Sequence, residues 1–93
     1  MNKNEKLTLI EGKFLNEEAS EILTNIFTTK IRFHEAKNFS SQERMGKDDE
    51  IAQERIPALK KELKKLQDLL SEAKANNKKL VISSEINISL SDN

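Results

Sequence analysis

Polar and apolar positions change period twice along the chain. Leu7 and Leu9 share one side of a short run with Thr8 opposite, and Ile10 then breaks the alternation. Lys6 to Phe14 therefore predicts a strand, with Gly12 permitting a bulge or a close backbone approach. Asn16 is a good N-cap, and Glu17 and Glu18 suit the positive end of a helix dipole. From there a stripe of Ala19, Ile22, Leu23, Ile26 and Phe27 predicts an amphipathic helix to about Asn38.

Asn38 to Lys47 reads as a connector. Ser40 and Glu43 stand at capping-box spacing, and Gly46 is able to end a short helical turn. Asp48 or Asp49 then caps a second helix running to about Ala75, with Asn76-Asn77 as a left-handed stop. In this helix Ala52, Ile56, Leu59, Leu63, Leu66, Leu70 and Ala73 step by 4, 3, 4, 3, 4, 3. That is a packing seam of about three heptads. It keeps phase across Pro57, which predicts one bent helix rather than two. Leu80 to Leu90 is a long strand with Leu80, Ile82, Ile86, Ile88 and Leu90 on one face.

The expected fold is α+β. An antiparallel helical hairpin is flanked by N- and C-terminal strands that pair as an antiparallel ribbon, in one strand–helix–helix–strand domain over residues 1–93. A two-stranded ribbon is marginal in water and exposes its edges. Pairing between protomers, or stacking of the apolar strand face on a partner's sheet, is the simplest remedy, so a homo-oligomer is expected.

Composition sharpens this. Of 93 residues, 35% are hydrophobic and 34% charged, with four Phe and no Trp or Tyr, so a monomer has little with which to build a core. Formal net charge is zero, from 16 Lys+Arg against 16 Asp+Glu, which removes any global attraction to nucleic acid or anionic lipid. Without Cys there is no disulfide frame, thiol nucleophile or thiolate metal site. The segment from Met1 to Lys13 is too short in apolar residues for a signal-peptide core, and no run approaches a membrane span, so a cytoplasmic protein without membrane contact is expected.

Candidate chemistry lies where the first helix departs from its pattern. Continuing the apolar stripe at about 3.6 residues per turn brings Lys30, His34 and Lys37 onto it, flanked by Ile31 and Phe33. Cations on a buried stripe need an anionic partner. Beyond them lie Ser40, Ser41, Gln42, Glu43, Arg44 and Lys47, with Arg55 at the same end of the hairpin. Hydroxyls, a helix N-terminus, Arg and Lys together suit a phosphate. The expected ligand-binding set is Lys30, His34, Lys37, Ser40, Ser41, Arg44 and Arg55. The competing reading is structural: Lys30 and Lys37 snorkel outward, His34 is a satisfied packing residue, and Glu43 and Glu54 neutralise Arg44 and Arg55. Lys60, Lys61, Lys64 and Lys65 read as a solvated face, and as a weaker route to nucleic acid. One His and two glycines leave no ordinary zinc site and no phosphate loop. No orienting acid or oxyanion hole accompanies Ser40, Ser41 and His34. Neither an enzyme activity, a cofactor nor a metal is expected.

The stretches Glu11-Gly12-Lys13-Phe14, Glu18-Ala19, Lys30-Ile31-Arg32-Phe33-His34 and Phe39-Ser40-Ser41-Gln42-Glu43-Arg44-Met45-Gly46 resemble a family of short proteins from Bacteroidetes-type bacteria and their phages. The resemblance covers nearly the whole chain but brings no activity with it. In size and expected assembly alone, the chain is also similar to phage-encoded sponges that sequester nucleotide immune signals, an architectural likeness without shared motifs. Together these readings lead to a homo-oligomeric protein that holds an anionic small ligand, a nucleotide first. The rival is a non-catalytic interaction module using the leucine seam and strand edge.

Overall fold

The computed structural model describes residues 3–92; Met1, Asn2 and Asn93, counted in the single-domain expectation, lie outside the described residues. Strand β1 (Asn4–Phe14) leads into helix α1 (Asn16–Met45), helix α2 (Glu50–Ala75) and strand β2 (Leu80–Ser89). β1 and β2 form a two-stranded antiparallel sheet, with Asn4 opposite Ser89 and Phe14 opposite Leu80. The fold is the expected α+β hairpin-and-ribbon.

Several local features differ from expectation. The disturbance in β1 falls between Thr8 and Ile10, ahead of Gly12. Leu9 is thus the extra residue, and the bulge puts Ile10 rather than Leu9 on the sheltered face. Asn16 is not the N-cap of α1. Leu15 occupies that position, its N–H donating to Glu18 Oε1 at 2.9 Å, while the Asn16 side chain donates across the fold to the carbonyl of Leu70.

The largest correction concerns the connector. α1 does not end near Asn38; it continues through Ser40, Ser41 and Arg44 to Met45. No Gly or Pro interrupts residues 38–45, and polar residues are tolerated in a helix until a real stop arrives. Gly46 is that stop, left-handed at φ 67°, with its N–H returning to Gln42 O. The expected Ser40/Glu43 box is therefore helix interior. What remains as loop is residues 46–49, held by the last turns of α1: Ser41 Oγ donates to Lys47 O, and Gln42 Nε2 to Asp48 Oδ1.

Asp49 caps α2, accepting from Ala52 N at 2.8 Å. α2 then runs unbroken through Pro57, which lies exposed while Ala52, Leu59, Leu66, Leu70 and Ala73 are buried. At its end Lys78 N returns to Ala73 O and Asn77 N to Lys74 O, with Asn77 left-handed at φ 52°. This is the Schellman arrangement.

The seam packs on α1. Ala19, Leu66 and Leu70 form the core, with Phe14, Leu23, Phe27, Leu63, Leu80 and Ile82 against it, so the core sits where the helices meet the Phe14–Leu80 end of the ribbon. It is small. Among the described residues no large side chain is fully enclosed, and the radius of gyration is 16.8 Å. A compact chain of this length has about 12 Å. The extents are 50 × 37 × 16 Å. A 30-residue α1 accounts for the longest at about 45 Å. A ribbon of about 33 Å laid end to end with it would exceed that, so the ribbon is not stacked on the end of the hairpin.

Candidate functional site

Helix geometry sorts the basic residues of α1 onto two faces. Ile31, His34 and Ser41 are buried and Asn38 is half-buried, marking the face turned to α2. Lys30, Phe33, Lys37 and Arg44 are exposed, with Ser40 half-buried among them. The expectation that Lys30, His34 and Lys37 share one buried stripe is thus corrected. Ile31 takes the seam position expected of Lys30, and Asn38 that expected of Lys37. Continued from Phe27 at about 3.6 residues per turn, the seam falls on Ile31, His34, Asn38 and Ser41, whereas Lys30 and Lys37 continue the other edge of the broad apolar stripe.

On the exposed face Phe33 is half-exposed and bracketed by cations. Lys30 Nζ lies 4.9 Å and Lys37 Nζ 5.7 Å from its ring centroid. A groove of about 360 Å³ at the tip of the hairpin is lined by Phe33, Lys37, Ser40, Ser41, Arg44 and Asp49, among others. A second, about 550 Å³, continues along α1 over Asn25, Ile26, Thr29, Lys30 and Phe33. Both share the Phe33 ring. Of the seven expected site residues, Lys37, Ser40, Ser41 and Arg44 therefore line one groove and Lys30 the other, with Phe33 common to both. Arg55 stays on α2, outside the groove lining, and His34 lies in the helix seam.

Among the described residues the ion pairs are Lys64–Asp68 and Lys65–Glu62, both exposed. None involves Lys30, Lys37, Arg44 or Arg55, so Glu43 and Glu54 do not neutralise the arginines as the structural reading expected. Among the described residues Lys30, Lys37, Arg44 and Arg55 make no ion pair, although Asp49 lines the same groove as Lys37 and Arg44. His34 feels these charges from the seam. It is 5% exposed, and neither ring nitrogen has a hydrogen-bond partner, so it is not a satisfied packing residue. Its pKa is lowered from 6.5, first by burial and then by the charges of Lys30 and Arg55, with Asp49 opposing and Lys37 adding a smaller lowering effect. Phe33 meets its ring edge-on, centroids 5.3 Å apart.

Sequence reasoning passed over Phe33 as a site residue. The signal was present: an aromatic with lysines three residues before and four after it, positions that share a helix face. Among the described residues no helix is long and apolar enough to cross a membrane. No family model matches the chain, and neither a curated protein nor a solved structure matches it.

Proposed function

We propose that this chain is a homo-oligomeric binding protein that holds an anionic small molecule, a nucleotide above all, on the Lys30–Phe33–Lys37 face of α1. One observation carries the reading: an exposed aromatic ring lies between two lysines that no carboxylate pairs. A base stacks on Phe33, whose flanking charges suit an electron-rich partner. The phosphate lies beside Lys37 and Ser40, about 6–10 Å further along the helix axis, with Arg44 as a second, bidentate contact. The ligand is held rather than converted, in the manner of a phage-type nucleotide sponge in the bacterial cytoplasm. The test is a thermal-shift screen against mono-, di- and cyclic nucleotides. A ligand at 100 times its Kd adds about 2.7 kcal/mol, and Lys37→Met abolishes the shift. Absence of any shift across the panel refutes the reading.

The second reading, a protein-interaction module, is favoured by the exposed aliphatics of the ribbon, Leu7, Ile86 and Ile88. Such a module engages its partner through a strand edge, because α1 already occupies the leucine seam.

A further inference from the structure

The two edges of the ribbon are unequal. β1 carries several devices that discourage edge-to-edge pairing: a bulge at Leu9, Gly12 at φ 144°, and the charges of Glu5, Lys6, Glu11 and Lys13. β2 carries almost none. From Leu80 to Leu90 there is no Gly, Pro, Lys or Arg, and Glu85 is the single charge. Such a segment, left open at a sheet edge, templates strand addition.

The faces are unequal too. At the Phe14–Leu80 end the helices shelter Ile10, Phe14, Leu80 and Ile82. At the other end Leu7, 49% exposed, and its partner Ile86 lie open, as do Ile88 and Leu90. The uncovered half follows the covered half along the same strand.

From these two asymmetries we infer that β2 pairs antiparallel with β2 of a second copy about a two-fold axis near Ile86, giving a four-stranded sheet of order β1-β2-β2-β1. The occupant is a second copy because antiparallel self-pairing sets the helix-covered half of each ribbon beside the uncovered half of the other. Centred on Ile86, it places Ile82 opposite Leu90 of the second copy and Ser84 opposite Ile88. Residues on one face stay on one face, as the two-residue period of a strand demands. Glu85 faces Asn87 of the second copy, so the two Glu85 side chains stand on a diagonal rather than directly opposed. Two strands become four, past the three that a free-standing sheet requires. The interface is isologous and closes, so it does not propagate. This inference rests on the assembly half of the proposed function and not on its ligand.

Sedimentation of the chain at micromolar concentration and a cysteine scan test it together. The wild type sediments as a dimer. Ile86→Lys, which sets two cations against each other at the axis, sediments as a folded monomer by circular dichroism. Because the chain lacks cysteine, each introduced thiol is unique. Opposed positions of antiparallel strands lie within disulfide reach. Ile86→Cys therefore cross-links on mild oxidation, and Thr8→Cys on β1 does not. A monomeric wild type overturns the inference, as does a dimer that cross-links through Thr8→Cys and not through positions 85–87. If Ile86→Lys fails to fold, the cysteine scan alone decides. A dimer that cross-links at Ile86→Cys yet answers no nucleotide leaves this interface standing and removes the ligand reading. Nucleotide shifts from a monomeric wild type do the reverse.

Discussion

Asn38 Oδ1 accepts the backbone N–H of Asp49 at 2.8 Å, so a side chain of α1 fixes the residue that begins α2. Asp49 in turn accepts from Ala52 N. The two bonds form a relay that closes the hairpin with four loop residues. Asp49→Ala removes the cap and costs about 0.5–2 kcal/mol. Asn38→Ala strands one part-buried N–H and costs about 1–3 kcal/mol. Since both substitutions cut one relay, the double variant loses less than the sum, which denaturant midpoints in a double-mutant cycle measure.

The leucine seam gives a graded expectation. Leu66 and Leu70 are buried in the core, Leu63 is half-buried and Leu69 is exposed. Leu66→Ala or Leu70→Ala costs about 2–5 kcal/mol. Leu69→Ala stays within about 0.5 kcal/mol, as surface changes do. Equal losses at Leu66 and Leu69 would show that a partner covers the far side of α2.

His34 makes stability fall with acid. Its pKa is lower folded than unfolded, so the unfolded chain binds the proton more tightly. The neutral ring contributes fully above its ordinary pKa of 6.5, and that contribution is lost as pH drops from there toward the lowered value. His34→Leu removes the titration and both unpartnered nitrogens. The variant is more stable than the wild type, and the pH dependence of its melting temperature flattens below 6.5. An unchanged slope would assign the acid sensitivity to other groups.

Fold and site were unequally legible. Element order, the cap at Asp49, the stop at Asn77 and the helix through Pro57 follow from local chemistry that acts within a few residues, and sequence displays it directly. The end of α1 was obscured because Ser40-Ser41-Gln42-Glu43 has loop composition without a loop's backbone requirement; only Gly46 carries that. The cap at Leu15 escaped because Glu18 supplies it backwards, freeing Asn16 for Leu70, a contact between residues far apart in sequence. The basic site was half legible. Lys37, Ser40, Ser41 and Arg44 were expected near one end of the hairpin and do line one groove there, whereas the division of Lys30 and Lys37 from His34 turns on which edge of a broad apolar stripe is continued, a choice that residue type alone does not make.

That division sets the sign of the last prediction. Lys30, Lys37 and Arg44 share a face, and no ion pair among the described residues neutralises them. Lys37 stands seven residues, about 10 Å along the axis, from each of the other two, so replacing it relieves at most a weak repulsion. Lys37→Met also keeps an unbranched apolar stem beside Phe33, so packing on the ring survives while the cation is lost. Its denaturant midpoint is equal to or higher than that of the wild type, by up to about 0.5 kcal/mol for an exposed site. The gain shrinks in high salt, which screens the repulsion it relieves. With the best nucleotide of the screen present, the order reverses: the wild type gains stability and Lys37→Met does not, because the phosphate has lost its nearest counter-charge. A variant destabilised by a kcal/mol or more, with no ligand effect on either protein, would mean that Lys37 serves the fold through its contact with Phe33, and the interaction-module reading would then stand.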